Sequence, residues 1–167
     1  MEDLVIRASK GTDTSTTRAL VDAAFRPEDV ASFLDRLRGD GCLIGEWLAE
    51  RAGAVEGFIA FARVEVETDG GTNVAAAMLT PLAVHPERQR QGIGTRLMRH
   101  SLAALENAGE RLFVVLGHPE YYLRAGFSSQ LGARIASPLS PRPAFMARGA
   151  AVPRGRLLLP PAILGAG

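Results

Sequence analysis

The segment Gln89-Arg90-Gln91-Gly92-Ile93-Gly94-Thr95 has the residue types and spacing best suited to chemistry in this sequence. It joins an apolar run, Met78 to Val84, to an amphipathic pattern that begins at Gly92. A strand that enters a glycine turn at a helix N-terminus aims several free backbone N–H groups at one point. The helix dipole adds positive potential there. Such a turn holds an anion, most naturally a phosphate or diphosphate. Glycines at 92 and 94 remove the side chains that would keep a phosphate away from the main chain. Arg88, Arg90, Arg96 and Arg99 crowd the same turn and its helix.

Around this turn the elements read as follows. Leu4 to Ala8 is a weak first strand, and Asp13, Thr14 and Ser15 offer caps for a helix over Ser15 to Ala24. Pro27 suits a first helical position. Val30, Phe33, Leu34 and Leu37 then repeat at helical spacing until Gly39 and Gly41. Leu43 to Glu50, Val55 to Val66 and Ala75 to Val84 form an antiparallel meander, with turns at Arg51–Ala54 and Thr68–Gly71. The helix from Gly92 turns Ile93, Leu97, Met98, Leu102 and Leu105 inward and stops at Gly109. Leu112 to Leu116 is wholly apolar, so it belongs in a sheet covered on both faces. Strand, turn, helix and strand make a βαβ unit whose strands run parallel. The class is therefore α+β: a mixed, mostly antiparallel central sheet with one parallel βαβ pair and flanking helices. Phe145 to Arg148 and Arg156 to Leu159 read as a late strand pair closing the sheet, with a loosely held, proline-rich tail as the competing reading.

Bulk properties narrow the function. At 167 residues the chain reads as one domain, 1–167, large enough to bury about 70% of its unfolded surface without metal or disulfide. A net charge of +1 gives no general drive toward nucleic acid or an anionic membrane. Cys42 is the only cysteine, so a disulfide framework within the chain is excluded and a reducing, cytoplasmic setting is expected. It reads as a small buried hydrophobe. No apolar run nears the ~20 residues of a membrane span, and acids at positions 2 and 3 do not suit a signal peptide. No repeat or low-complexity linker is present.

Other phosphate loops fit poorly. A dinucleotide fingerprint needs glycine where Leu97 stands. A P-loop needs Gly-Lys-Ser/Thr. A kinase glycine loop joins two antiparallel strands, whereas this one opens a helix.

Gln89-Arg90-Gln91-Gly92-Ile93-Gly94 resembles the acyl-CoA signature of the GNAT superfamily of N-acetyltransferases, Gln/Arg-x-x-Gly-x-Gly/Ala. Tyr122-Leu123-Arg124-Ala125-Gly126-Phe127 is similar to that family's Tyr-x-x-x-Gly-Phe element. Gly117-His118-Pro119-Glu120 before it and Pro160-Pro161-Ala162 near the end are similar to small stand-alone bacterial acetyltransferases. The strong part of the likeness covers Ala75 to Phe127.

The resemblance implies transfer of an acetyl group from acetyl-CoA, as co-substrate and with no metal, to a primary amine of a small molecule or a protein or peptide. It places the cofactor where the strand ending at Val84 splays from the strand ending at Leu116. Leu82, Ala83 and Val84 would pair with the pantetheine arm as an added strand would. Gln89, Arg90, Gln91, Gly92, Ile93, Gly94 and Thr95 would surround the diphosphate. Arg88, Arg90 or Arg96 could meet the 3′-phosphate, or form a solvated helix face. A backbone N–H near Val84 would stabilise the oxyanion. Tyr122 stands where the family's phenol donates to the departing sulfur, or packs under the cofactor. Tyr121 reads as packing.

The general base is open among Glu46, Glu50, Glu65, His85, His118 and Glu120, with Glu67 as a further solvent-facing acid and a water chain as the alternative. His118 follows a parallel strand near Tyr122 and is the strongest of these. Trp47 lines the acceptor cleft or packs in the core. Homodimers are expected from the family resemblance, although no exposed seam is visible. A non-catalytic acyl-CoA-binding sensor or interaction protein is the rival reading.

Overall fold

The computed structural model describes residues 3–117, 119–138 and 145–164. Its elements are β1 (Val5–Ala8), α1 (Thr14–Phe25), α2 (Val30–Gly39), β2 (Leu43–Arg51), β3 (Ala54–Thr68), β4 (Asn73–Val84), α3 (Ile93–Asn107), β5 (Phe113–Leu116), α4 (Pro119–Tyr122), α5 (Ser129–Gly132), β6 (Ile135–Ala136), β7 (Phe145–Arg148), β8 (Gly155–Leu158) and α6 (Pro161–Leu164). The strands form a mixed sheet in the order β1-β2-β3-β4-β5-β7. Neighbours are antiparallel except β4 and β5, which run parallel as a βαβ unit around α3 requires. A second, two-residue parallel contact joins β6 to β8. No described helix is long and apolar enough to cross a membrane.

Alternation along β3 sorts the core. Phe58 and Ala60 meet Leu20, Val21, Ala31 and Leu34 of α1 and α2. Ile59 and Phe61 meet Ile93, Leu97, Met98, Leu102 and Leu105 of α3. Consecutive side chains on a strand point to opposite faces, so α1 and α2 cover one side of the sheet and α3 the other. Each large apolar side chain fully buried this way contributes about 1.5–3 kcal/mol.

Three expectations change. Pro27 lies in the link between α1 and α2; α2 begins at Val30, where the Asp29 carboxylate accepts from the Ser32 N–H at 3.0 Å. That side-chain cap satisfies an amide that a proline could not. Asp13 heads α1 without a side-chain cap bond, because its carboxylate takes the Arg7 guanidinium at 2.9 Å. The late strands do not pair with each other. β7 joins β5, and β8 joins the far half of β3 between Glu65 and Thr68. β3 is long enough to hold both β2 and β8 along one edge, which leaves β7 free to extend the other.

Two features of β4 create the site. Its ladder with β5 covers only Ala77 with Phe113 and Met78 with Val114. Beyond Met78 the two strands diverge. At that point Ile59 faces Leu82 while Phe61 faces Leu79, so β4 carries an extra residue at Thr80-Pro81. A bulge bends its strand, and a proline fits there because no ladder bond needs its N–H.

Candidate active site

The turn after β4 is built on two residues of positive φ, Arg90 at 65° and Gly92 at 84°. An arginine in the left-handed region is uncommon and marks a turn that the surrounding structure enforces. Gly92 is the N-cap of α3, and the first bond of the helix ladder runs from the Arg96 N–H to the Gly92 carbonyl at 3.1 Å. The amides of Ile93, Gly94 and Thr95 precede that bond and lie outside the ladder. A Cβ on Gly94 would collide with the Tyr121 hydroxyl, so the glycine makes room for that ring against the helix end.

These amides border a cavity of about 730 Å³ lined by Leu82, Val84, Gln89, Arg90, Gly92, Ile93, Gly94, Thr95, Tyr121, Tyr122 and Arg124. Eight of the ten residues expected to hold the cofactor line it. Ala83 does not, because its side chain is buried toward α1 and α2, and Gln91 is exposed off the wall. The Gln89 side chain donates to the Val84 carbonyl at 3.3 Å and ties the turn back to the strand. Two of the three proposed phosphate arginines are occupied elsewhere. Arg88 leans on Glu56 at 3.6 Å, and Arg96 donates to the Leu4 carbonyl at 3.1 Å. Arg90 lines the cavity, joined by Arg124 from inside the second motif.

Glu56 holds this corner. It is 5% exposed and binds Arg51 at 3.3 Å as well as Arg88, while its carbonyl accepts from the His85 N–H. The β2–β3 hairpin and the turn are thereby fixed to each other.

The two tyrosines lie at the inner end. The Tyr122 ring packs edge-on against Phe127 at 5.9 Å and against Tyr121 at 5.4 Å. Burial pushes its phenol up to about 12, and the neighbouring Tyr121 adds to the rise. Tyr121, expected as packing, instead brings its hydroxyl to the Thr95 side chain; burial raises its pKa and that hydrogen bond opposes the rise. Nothing in the sequence pattern distinguished the two rings in this respect.

The base candidates are spread apart. Glu46 is bound to Arg38, Glu50 to Arg7 and Glu67 to Arg156. Glu65 sits at the β8 end of β3, remote from the splay. His85 Nδ1 accepts the Glu87 N–H at 3.1 Å. His118 and the Glu120 side chain lie outside the described residues. Trp47 is half-buried and packs against the core on the α3 side: it meets Phe61 edge-on at 6.2 Å and lies over Gly45.

A second cavity, about 430 Å³, opens on the α1–α2 side of the sheet. It shares Leu82, Tyr121 and Tyr122 with the first, so the two meet at the splay of β4 from β5. Glu28 lines it and was not among the sequence candidates. An anion turn on one side of a split sheet and a separate cavity on the other can bring two substrates together through the split.

Comparison with known proteins agrees with this architecture. A family profile described as Acetyltransferase (GNAT) domain matches residues 45–129, which include both motifs. The chain belongs to the GNAT acetyltransferase family. The N-acetyltransferase YhbS of Escherichia coli K12 is 31% identical over 125 residues, covering 74% of this chain and 73% of that protein. A GNAT family acetyltransferase from Brucella melitensis, solved in complex with acetyl-CoA, is 30% identical with a TM-score of 0.82, covering 98% of this chain and 99% of that one. The E. coli YhbS structure, solved in complex with CoA, has a TM-score of 0.88 at 25% identity, over 98% and 93% of the two chains. This GNAT acetyltransferase thus carries the fold class expected from its strands, with the parallel pair in place.

Proposed function

We propose that this GNAT acetyltransferase moves an acetyl group from acetyl-CoA to a primary amine at the meeting point of its two cavities. The observation that carries this reading is the shared wall of Leu82, Tyr121 and Tyr122 between a cavity headed by free amides and a cavity open to the other face. The residues fit the coenzyme: residues 93–95, whose amides lie outside the helix ladder, line the cavity, and Arg90 and Arg124 add positive charge. When bound, acetyl-CoA supplies the thioester carbonyl; the amine nitrogen bonds to its carbon, the carbon–sulfur bond breaks, and the sulfur leaves as a thiolate that takes its proton from water.

Each residue then has a task. Leu82 to Val84, unpaired on the β5 side, offer main-chain partners to an extended arm. A backbone N–H near Val84 serves the developing oxyanion. Tyr122 donates a hydrogen bond to the departing sulfur. With its phenol near 12 and thiols near ~8.5, full transfer of its proton is uphill by roughly 5 kcal/mol, so it acts as a donor and not as an acid. Among the described carboxylates, Glu46, Glu50 and Glu67 are held by arginines and Glu65 lies far from the split, which leaves a water chain or His118 to carry off the amine proton. One domain, 1–167, and a cytoplasmic setting, supported by the lone Cys42, complete the reading.

Thiol release measured with acetyl-CoA and a panel of amines tests it. Release that requires both an amine and the protein supports transfer. Tight acetyl-CoA binding with no release on any amine would replace it with the sensor reading.

A further inference from the structure

A further cavity of about 440 Å³ runs along α3, away from the anion turn. It shares Thr95 and Arg124 with the first cavity, so the two meet beside the first turn of the helix. Met98 and Leu102, both buried, give it an apolar wall. Three arginines line it: Arg99 of α3, Arg124 of the second motif and Arg148 of β7. Arg148 is committed, since it binds Glu106 at 3.1 Å and lies 5.4 Å over the Phe113 ring. Its pairing also balances the Glu106 carboxylate, which lines the same cavity. Arg99 and Arg124 are exposed at the end nearer the turn. Arg99 stands four residues beyond Thr95, about 6 Å along the helix axis.

We infer that this cavity takes the adenosine end of the coenzyme, and that Arg99 and Arg124 bind its 3′-phosphate and so set a preference for CoA over thioesters that lack that group. This rests on the acetyltransferase reading above. One ribose of CoA carries the diphosphate on its 5′ carbon and the extra phosphate on its 3′ carbon. With the diphosphate at the amides of 93–95, the second charge falls close to the start of α3. The sequence pointed to Arg88, Arg90 or Arg96 for it. Arg88 is drawn to Glu56, and Arg96 to the Leu4 carbonyl. Arg90 lines the first cavity and not this one. Arg99 and Arg124 come from two different elements to one cavity, and each guanidinium offers a fork of N–H donors that matches phosphate oxygens. Met98 and Leu102 offer the flat face of an adenine an apolar surface, and a thioether packs well against an aromatic ring. Both arginines stay in contact with water. Their hold on the phosphate therefore weakens as salt is added, unlike that of the helix-end amides on the first cavity's anion.

The test is calorimetry on the full chain at low ionic strength, with CoA and 3′-dephospho-CoA as the two ligands. If neither binds the parent, the acetyltransferase reading itself fails. If both bind, CoA should bind at least about 10-fold more tightly, the scale of one or two exposed charge-assisted contacts. In the double variant Arg99→Gln/Arg124→Gln that preference should fall below about threefold, through a loss of CoA affinity with dephospho-CoA affinity nearly unchanged. Arg90→Gln should weaken both ligands by a similar factor and keep the preference. Comparable affinity of the parent for the two ligands would overturn the inference and leave the acetyltransferase reading standing. So would a preference that survives in the double variant, or one that disappears in Arg90→Gln. An equal loss of both ligands in Arg124→Gln alone would place Arg124 on the diphosphate and overturn its assignment here.

Discussion

Tyr122 shows how position changes what a side chain can do. Packed under Phe127 and beside Tyr121, its phenol is raised by burial to about 12. A raised pKa keeps the proton on, so the donor persists across the working range and no activity is lost to its ionisation below about pH 11. The amine behaves oppositely, becoming more reactive as pH rises toward its own value near ~10.4. The expected kcat/KM profile therefore climbs through pH 9 without a falling limb from Tyr122. Tyr122→Phe should lower kcat by about 10- to 100-fold while leaving acetyl-CoA affinity nearly unchanged, since only a bond to the leaving group is lost. Full activity in that variant, checked by steady-state kinetics, would remove Tyr122 from the mechanism. Glu56 acts at one remove. Glu56→Gln should cost about 1–3 kcal/mol in stability, because Arg51 and Arg88 lose a buried partner. It should also raise KM for acetyl-CoA several-fold as the turn loosens; denaturation and kinetics read the two effects separately. The sequence did not signal Glu56, because its two arginine partners come from a hairpin and a turn that meet only in the fold.

At the scale of elements, the β2–β3 hairpin contains a testable imperfection. Arg51 pairs with Ala54 across a two-residue turn in which Ala52 has φ of 52° and the next residue 81°. Asparagine tolerates the left-handed region better than alanine at the first turn position. Ala52→Asn should stabilise the protein by about 0.5–1 kcal/mol, measured as an upward shift of the denaturation midpoint with unchanged slope. A lower midpoint would mean that the turn is held by something other than its own backbone preference. Elements with a long period were legible in the sequence. Val30, Phe33, Leu34 and Leu37 define α2, Ile93 to Leu105 define α3, and the meander falls where alternation placed it. The four-residue helices α4, α5 and α6 and the two-residue β6 were not legible, because such stretches hold no full period. The partners of β7 and β8 were misjudged for a different reason. β8 finds its place on β3, about ninety residues earlier, and nothing local encodes that.

Over the whole molecule, the cofactor side and the acceptor side differed in how much the sequence disclosed. The anion turn and the tyrosine element are local motifs at a telling separation, and the fold brings Gly94, Thr95 and Tyr122 to one cavity. The acceptor side has no local signature. Glu28 lines one cavity with Leu82 and Tyr122 because the α1–α2 link comes to the split in the sheet. Trp47 reads equally well as cleft or core from the sequence, and it sits half-buried at the edge of the core, against Phe61 and over Gly45. Function thus rests on one claim: that the helix-end amides receive the diphosphate of acetyl-CoA. Gly94→Val addresses it: position 94 does not need the left-handed φ that favours glycine, and the new Cβ would push the Tyr121 hydroxyl into the cavity that the coenzyme fills. Calorimetric titration of acetyl-CoA into the parent protein and this variant is the decisive measurement. The expected result is one site in the parent and at least about 100-fold weaker binding in Gly94→Val, with a Tm within about 4 °C of the parent. Equal affinity in the two proteins would contradict it.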